Sequence, residues 1–375
     1  MSVYVWGANS HGQLGLGFES ELCMSPQLLT KHSFSASGVR CIRGGGGHVL
    51  VLDTYGRVHA CGWNNRGQLG LDSLKECHNR FECIPSDAFQ DVPVEYIACG
   101  WDISGCVTVT KELYVWGSNS YQQLGICQRE YAVISKPMNV SLPRGEKSQR
   151  ISFGMRHCVV LTQNYKIFVF GNLTLQQPPE ELSVTTMMLN HAKVMKLALY
   201  NSKDLRITDI ASGQNHLLLK IQEVNHKGDW SGRRVISLGN NKFGQANSFQ
   251  FEDEIKQIIV GWTHNAVLLK NNCVYLWGRN CYGQLGTGGF TDKSVTPIAL
   301  QLPGEVVPAR LHFGAEHCLL RTTCGAVYTW GWNEHGNCGN NNTENIDAAT
   351  LVELGSTCKV AGTGAGFCFA ICEAT

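Results

Sequence analysis

The sequence predicts an all-β, seven-bladed β-propeller, and three observations predict it. A step ending in glycine, usually after an aromatic residue, recurs at Gly7, Gly62, Gly117, Gly171, Gly239, Gly278 and Gly331. A Gly-x-x-His signature occurs at Gly45/His48, Gly154/His157, Gly213/His216, Gly261/His264 and Gly314/His317, with Ile103 and Phe367 in the histidine slot after Gly100 and Gly364. Glycine is also in surplus, with 41 in 375 residues where ordinary usage gives about 26. No G-X-Y period and no Gly/Ser linker absorbs the excess. The two columns alone hold fourteen of these glycines.

Successive steps lie 55, 55, 54, 68, 39 and 53 residues apart, so the unit is about fifty residues long. Internal repeats of that period mark propellers and solenoids. Within the first unit, Val49-Leu50-Val51-Leu52, a turn through Asp53-Thr54-Tyr55-Gly56 and Arg57-Val58-His59-Ala60-Cys61 read as a hairpin. The pattern running from V-Y-x-W-G through N-x-x-G-Q-L-G is complete at 3–15 and 274–286 and recurs with substitutions at 58–70, 113–125 and 327–339. The histidine column precedes the next glycine step by 14 residues in five units. The spacing from His216 to Gly239 is 23, because a polar insert near 222–234 lengthens that hairpin. Further inserts lie near 130–150 and 172–206. The latter contains Pro178-Pro179-Glu180-Glu181 and a short helix expected over 186–199; its unit lacks G-Q-L-G, leaving the outer strand open. The last unit has no downstream partner, so 359–372 must pair with 3–7 and fasten the ring. One four-stranded sheet cannot bury both faces, whereas seven packed radially can. Length alone allows two or three domains; the period reduces residues 1–375 to one propeller.

Bulk composition excludes several functions. With 31 basic and 30 acidic residues the net charge is +1, and Arg233-Arg234 is too short for a polybasic tail. Direct nucleic-acid binding by phosphate neutralisation is therefore not expected. No apolar run of about 18 residues marks a membrane span, and residues 1–7 lack the pattern of a signal peptide. Seventeen cysteines without one C-x-x-C pair point to a reduced, cytoplasmic protein, also compatible with the nucleus, without zinc. On that reading the sequons at Asn139, Asn172 and Asn341 carry no glycan. Neither a P-loop nor a hydrolytic triad or metalloprotease motif is present, so no catalytic residue, metal or cofactor is expected.

The two residues between Gly and His carry the sharpest hypothesis. They read Gly46-Gly47, Trp101-Asp102, Met155-Arg156, Gln214-Asn215, Trp262-Thr263, Ala315-Glu316 and Ala365-Gly366. Uniform flanks around a heterogeneous dipeptide suggest a scaffold presenting a variable face at one end of the channel. The bland alternative for its acids is a solvated loop carboxylate. The repeating histidines, His48, His157, His216, His264 and His317, read as structural, each bonding a neighbouring backbone group. Trp6, Trp116, Trp277 and Trp330 read as packing between blades. Trp63, Trp101, Trp262 and Trp332 occupy loop positions that no packing period requires, as interface anchors do. Glu334 and His335, beside Trp332, are secondary candidates for the same face.

These residues resemble the regulator of chromosome condensation repeat family over the whole chain. Gly44-Gly45-Gly46-Gly47-His48, Ala98-Cys99-Gly100-Trp101-Asp102, Gly261-Trp262-Thr263-His264 and Trp330-Gly331-Trp332-Asn333-Glu334-His335-Gly336 are similar to its secretion-linked exchange-factor subgroup. The resemblance implies a monomeric propeller that acts as a guanine nucleotide exchange factor for a small GTPase. The alternative is a non-catalytic adaptor that recruits an exocyst-type complex. In the family's chromatin exchange factor, functional carboxylates occupy the variable dipeptide, which by slot points to Asp102 and Glu316, with Trp101, Arg156 and Trp262 beside them. The Gly-Trp-Arg-His-Thr motif of plant ultraviolet photoreceptors is approached only at 261–264, where the arginine is missing.

Overall fold

The two marker columns are cross-strand partners. His48 pairs with Gly62, Ile103 with Gly117, His157 with Gly171, His216 with Gly239, His264 with Gly278, His317 with Gly331 and Phe367 with Gly7. The constant spacing in the sequence is thus the length of one hairpin. Each glycine of the step has φ between 85° and 110°, which side-chain-bearing residues rarely adopt. A Cβ on Gly62 would also lie 2.4 Å from the carbonyl oxygen of Gly47. Conformation and close approach both require glycine here.

A computed structural model describes every residue except 74, 127–130, 177, 190, 201, 202, 225–227 and 375. It arranges the strands in seven antiparallel sheets, six of four strands and one of five, as a ring of blades. Blade one is typical: Val39–Gly44 lines the channel, followed outward by His48–Asp53, Val58–Trp63 and Cys77–Cys83. The blades starting at 94, 148, 205, 255 and 308 follow in chain order. Blade seven joins the chain ends, with Ser2–Asn9 laid against Phe367–Cys372 and Tyr4 opposite Ala370. The expected non-local clasp is present.

The segments read as inserts take three forms. The polar insert near 222–234 extends the hairpin of His216–Val224 and Trp230–Gly239, although 225–227 lie outside the described residues. Most of 130–150 is an ordinary outer strand, Val133–Val140, with its connection. The helix expected over 186–199 is instead part of a hairpin, Leu182–Leu189 with Ala192–Leu199. Its second strand pairs with Ile167–Gly171 and the first becomes the fifth, outermost strand. Sheet pairing replaces the missing G-Q-L-G turn.

That turn is built by side chains where it is present. Asn119 accepts from the backbone N–H of Leu124 (3.1 Å) and donates to the carbonyls of Ile126 and Tyr131. Asn9, Asn64, Asn280 and Asn333 repeat the first of these bonds. Asn119 is fully buried, so its removal strands donors and acceptors away from water. Asn119→Ala is expected to lower unfolding free energy by about 2 kcal/mol, read as a lower urea midpoint at unchanged slope.

The turns also stitch blades together. Fully buried Trp6, Trp116 and Trp330 donate their indole N–H to the turn carbonyls of Asn337, Gln68 and Gln284 in the preceding blade. The histidines use a parallel device, which corrects the expectation of a backbone partner. His48 Nε2 donates to Ser104 Oγ of the next blade (2.8 Å), and that hydroxyl donates to the Gln68 carbonyl. His216 engages Asn265, while His264 and His317 engage the thiols of Cys318 and Cys368, and each acceptor continues to a turn carbonyl. His157 lacks such a bond, because the equivalent acceptor position is Leu217. The histidines are structural, but they act between blades.

Candidate functional site

Backbone hydrogen bonds between the Gly-x-x-His segments form a belt around one end of the channel. The first residue of each dipeptide supplies the groups at five links: Gly46 N–H to Trp101 O, Met155 to Gln214, Gln214 to Trp262, Trp262 to Ala315 and Ala315 to Ala365. Ala365 N–H instead donates to the carbonyl of the marker glycine Gly45, and among the described residues no such bond joins Trp101 to Met155. The second residue's carbonyl accepts from the residue after the glycine step in all seven blades, as in Trp63 N–H to Gly47 O and Trp332 N–H to Glu316 O. Because backbone atoms make these links, the side chains are free to vary. Two variable columns therefore share one rigid face.

On that face a cavity of about 350 Å³ lies off the axis, bounded by blades five, six, seven, one and two. It brings together Trp63, Trp101, Trp262, Trp332, Glu316, Glu334 and His335 from the sequence-predicted set. The rings of Trp101 and Trp262 lie 5.1 Å apart, tilted by 53°. Trp63 lies 4.6 Å from His11 with the rings tilted by 33°, and Trp332 packs edge-on against His335 at 5.0 Å. The Trp332 indole N–H donates to Glu334. Four tryptophans from four blades form an aromatic-walled depression held by the belt.

The candidate carboxylates do not meet in it. Glu316 is 6% exposed, accepts from Thr263 Oγ1 (2.7 and 2.9 Å) and Gln284 Nε2 (2.7 Å), and sits 3.8 Å from Arg279. This corrects the reading of Glu316 as a solvated loop acid: it is a clamped wall residue. Asp102 lies outside the cavity and is half-buried; desolvation pushes its carboxyl above the usual range, opposed by a bond from Ser118. Arg156 is separate again, exposed, with its guanidinium 4.6 Å from the ring centre of Tyr121.

Sequence reasoning missed His11, Arg279 and Tyr282, which also line the cavity. Arg279 follows a glycine step, and its guanidinium lies 4.7 Å over Tyr282. His11, Tyr282 and His335 each precede the glycine of a turn, where other blades carry Arg66 and Phe243. That third heterogeneous column was a usable signal. Among the described residues, no group of three or more His, Cys, Asp or Glu is placed to hold a metal, and no helix is long and apolar enough to cross a membrane. The sixteen described cysteines are free.

Residues 2–372 match the RCC1-like domain family. The chain belongs to that family. This RCC1-like chain is 30% identical to the secretion-regulating guanine nucleotide exchange factor of Mus musculus, over 99% of its own length and 83% of the relative's. It is 29% identical to the Ultraviolet-B receptor UVR8 of Arabidopsis thaliana, over 81% and 67% of the two chains. Among solved structures it is similar to Prp20p of Saccharomyces cerevisiae, with TM-score 0.80 and 20% identity over 98% of this chain and 90% of that one. Human WBSCR16 superposes with TM-score 0.81 and 18% identity over both whole chains. These matches identify the chain as an RCC1-like β-propeller.

Proposed function

We propose that this RCC1-like chain binds a small GTPase through the tryptophan-walled face and favours its nucleotide-free form, in a cytosolic setting connected with secretion. The observation that carries the reading is the cavity: four tryptophans from separate blades, fixed by a backbone belt, in a family whose relatives include a secretion-regulating exchange factor. The structure of Prp20p was described with that protein's binding to Gsp1p and histones, which supports a protein partner for such a propeller.

Exchange requires no nucleophile or metal from the propeller. It requires higher affinity for the empty GTPase than for the loaded one, and nucleotide release is promoted by that difference in binding. A rigid aromatic face suits the task, since little of its own conformational entropy is lost on docking. Nothing observed favours an exocyst-type complex, so the adaptor reading enters only as the negative outcome of the assay.

A panel of small GTPases loaded with fluorescent GDP tests the reading. At least one member is expected to release nucleotide about tenfold faster or more with the propeller present, as coupling of 1–3 kcal/mol provides. That member should be captured from its nucleotide-free pool in preference to its loaded pool. Unchanged release across the panel sinks exchange; equal capture of both forms sinks the mechanism.

A further inference from the structure

The channel below the belt has a composition at odds with the near-neutral chain. Its walls enclose about 350 Å³ and carry Arg43, Arg150, Lys256 and Arg310, with Asp209 the one carboxylate among the described residues that line it. Arg43, Arg150 and Arg310 project from the inner strands of blades one, three and six, so their charges enter from three sides. Asp209 compensates one of them, 3.3 Å from Arg150 Nε, and the Arg150 guanidinium also lies 5.2 Å from the Tyr96 ring centre. The Arg43 guanidinium donates to the carbonyl of Ile42. No carboxylate ion pair involves Arg43 or Arg310 among the described residues. His312, on the same strand as Arg310, is buried and held neutral by burial and by neighbouring arginines.

The electrostatics deepen the imbalance. Burial, together with Arg43 and Arg150, depresses the basicity of Arg310. Guanidinium remains charged in proteins, so the repulsion is relieved by an incoming anion rather than by proton loss. The fork of N–H donors on each arginine matches oxyanions. Three forks arriving from separate directions suit a tetrahedral group better than a planar carboxylate.

We propose that the channel is a binding site for a small phosphate-bearing anion, held between Arg43, Arg150 and Arg310. The site lies on the other side of the belt from the tryptophan cavity and does not depend on the proposed GTPase. Its occupant would bridge blades one, three and six, and so tighten the ring across the channel.

The test is thermal unfolding of the full chain in chloride buffer with added orthophosphate, pyrophosphate or inositol hexakisphosphate. At one hundred times its Kd a ligand adds about 2.7 kcal/mol, read as a rise in melting temperature of a few degrees with one or more of these probes. Which probe acts identifies whether an inorganic or an organic phosphate is preferred. Arg310→Gln is expected to remove that rise while leaving the unliganded protein equally or more heat-stable, because a repulsive charge is gone. Arg43→Gln, Arg310→Gln combined should abolish saturable binding by calorimetry, while Arg57→Gln on the outer surface should not. No rise and no binding heat with any of the three probes overturns the proposal. Stabilisation that persists in the double variant overturns it too, since the anion then binds elsewhere.

Discussion

Lowering the pH from 7 to 5 is expected to destabilise the propeller strongly and to bring it toward unfolding. Four histidines that stitch or fill the blade interfaces are fully buried, and burial holds their acidity far from the ordinary value. His48, His157 and His317 are pushed down to about 3 and His216 to about 4. In His48, His216 and His317 the Nε2 hydrogen bond leaves Nδ1 unpartnered, and in His48 and His216 no backbone carbonyl offsets the burial of an added proton. A group whose folded pKa is lowered stabilises the fold above its unfolded value, near 6.5, and loses that contribution as pH falls toward the folded value. At pH 5 each of the four loses about 2 kcal/mol, against a total stability of about 5–15 kcal/mol. The raised carboxyls of Asp102 and Asp209 act in the opposite direction and offset part of the loss. Tryptophan fluorescence during urea titrations at successive pH values reads the effect, and a midpoint unchanged from pH 7 to 5 would refute it.

His157 separates this account from generic acid unfolding. Both its ring nitrogens are buried without a hydrogen-bond partner, and Ile103 and Phe367 show that the slot accepts apolar side chains. His157→Leu is therefore expected to gain about 1 kcal/mol at pH 7, by removing unsatisfied polar atoms. It should gain about 2 kcal/mol more at pH 5, where the wild-type ring is driven toward protonation. His48→Leu should gain nothing at pH 7, because it breaks the link to Ser104.

The features most legible in the sequence were those the backbone imposes. Gly62 and its six equivalents need positive φ and face a carbonyl, so no substitute is tolerated and the period stands out. The blade closure followed from the unpaired last unit. Features set by contacts between blades were less visible. The partner of each histidine depends on the residue one position along in the next blade, Ser104 in one case and Leu217 in another. The hairpin at 182–199 read as helical because 186–199 is rich in the helix formers Met, Leu, Lys and Ala, although burial of Ala192, Val194, Leu197 and Leu199 in steps of two, three and two is nearer to strand alternation. At the candidate face, the tryptophans were visible as unexplained loop aromatics. The fate of two carboxylates in one slot was not: Glu316 meets Thr263 and Gln284, whereas Asp102 meets Ser118 and lies outside the cavity.

Replacing Trp101 and Trp262 together by alanine is expected to weaken partner binding by about 100- to 1000-fold while leaving the fold intact. Buried tryptophans at interface centres commonly contribute 2 kcal/mol or more each, and a tenfold change in affinity corresponds to about 1.4 kcal/mol. Their positions are fixed by backbone groups: the Trp101 carbonyl accepts from Gly46, the Trp262 carbonyl accepts from Gln214, and the Trp262 N–H donates to Ala315. Alanine preserves all three bonds, so the belt persists and melting temperature should change little. Since the two rings touch, at 5.1 Å, they act as one unit, and the single substitutions should not sum to the double. A cycle of the four proteins, measured against the nucleotide-free partner by calorimetry, isolates this coupling. Arg156→Ala, remote from the cavity, should lose less than threefold if the tryptophan-walled depression is the contact. A larger loss at Arg156 than at the paired tryptophans would move the interface to the other side of the face, around Tyr121 and blade three.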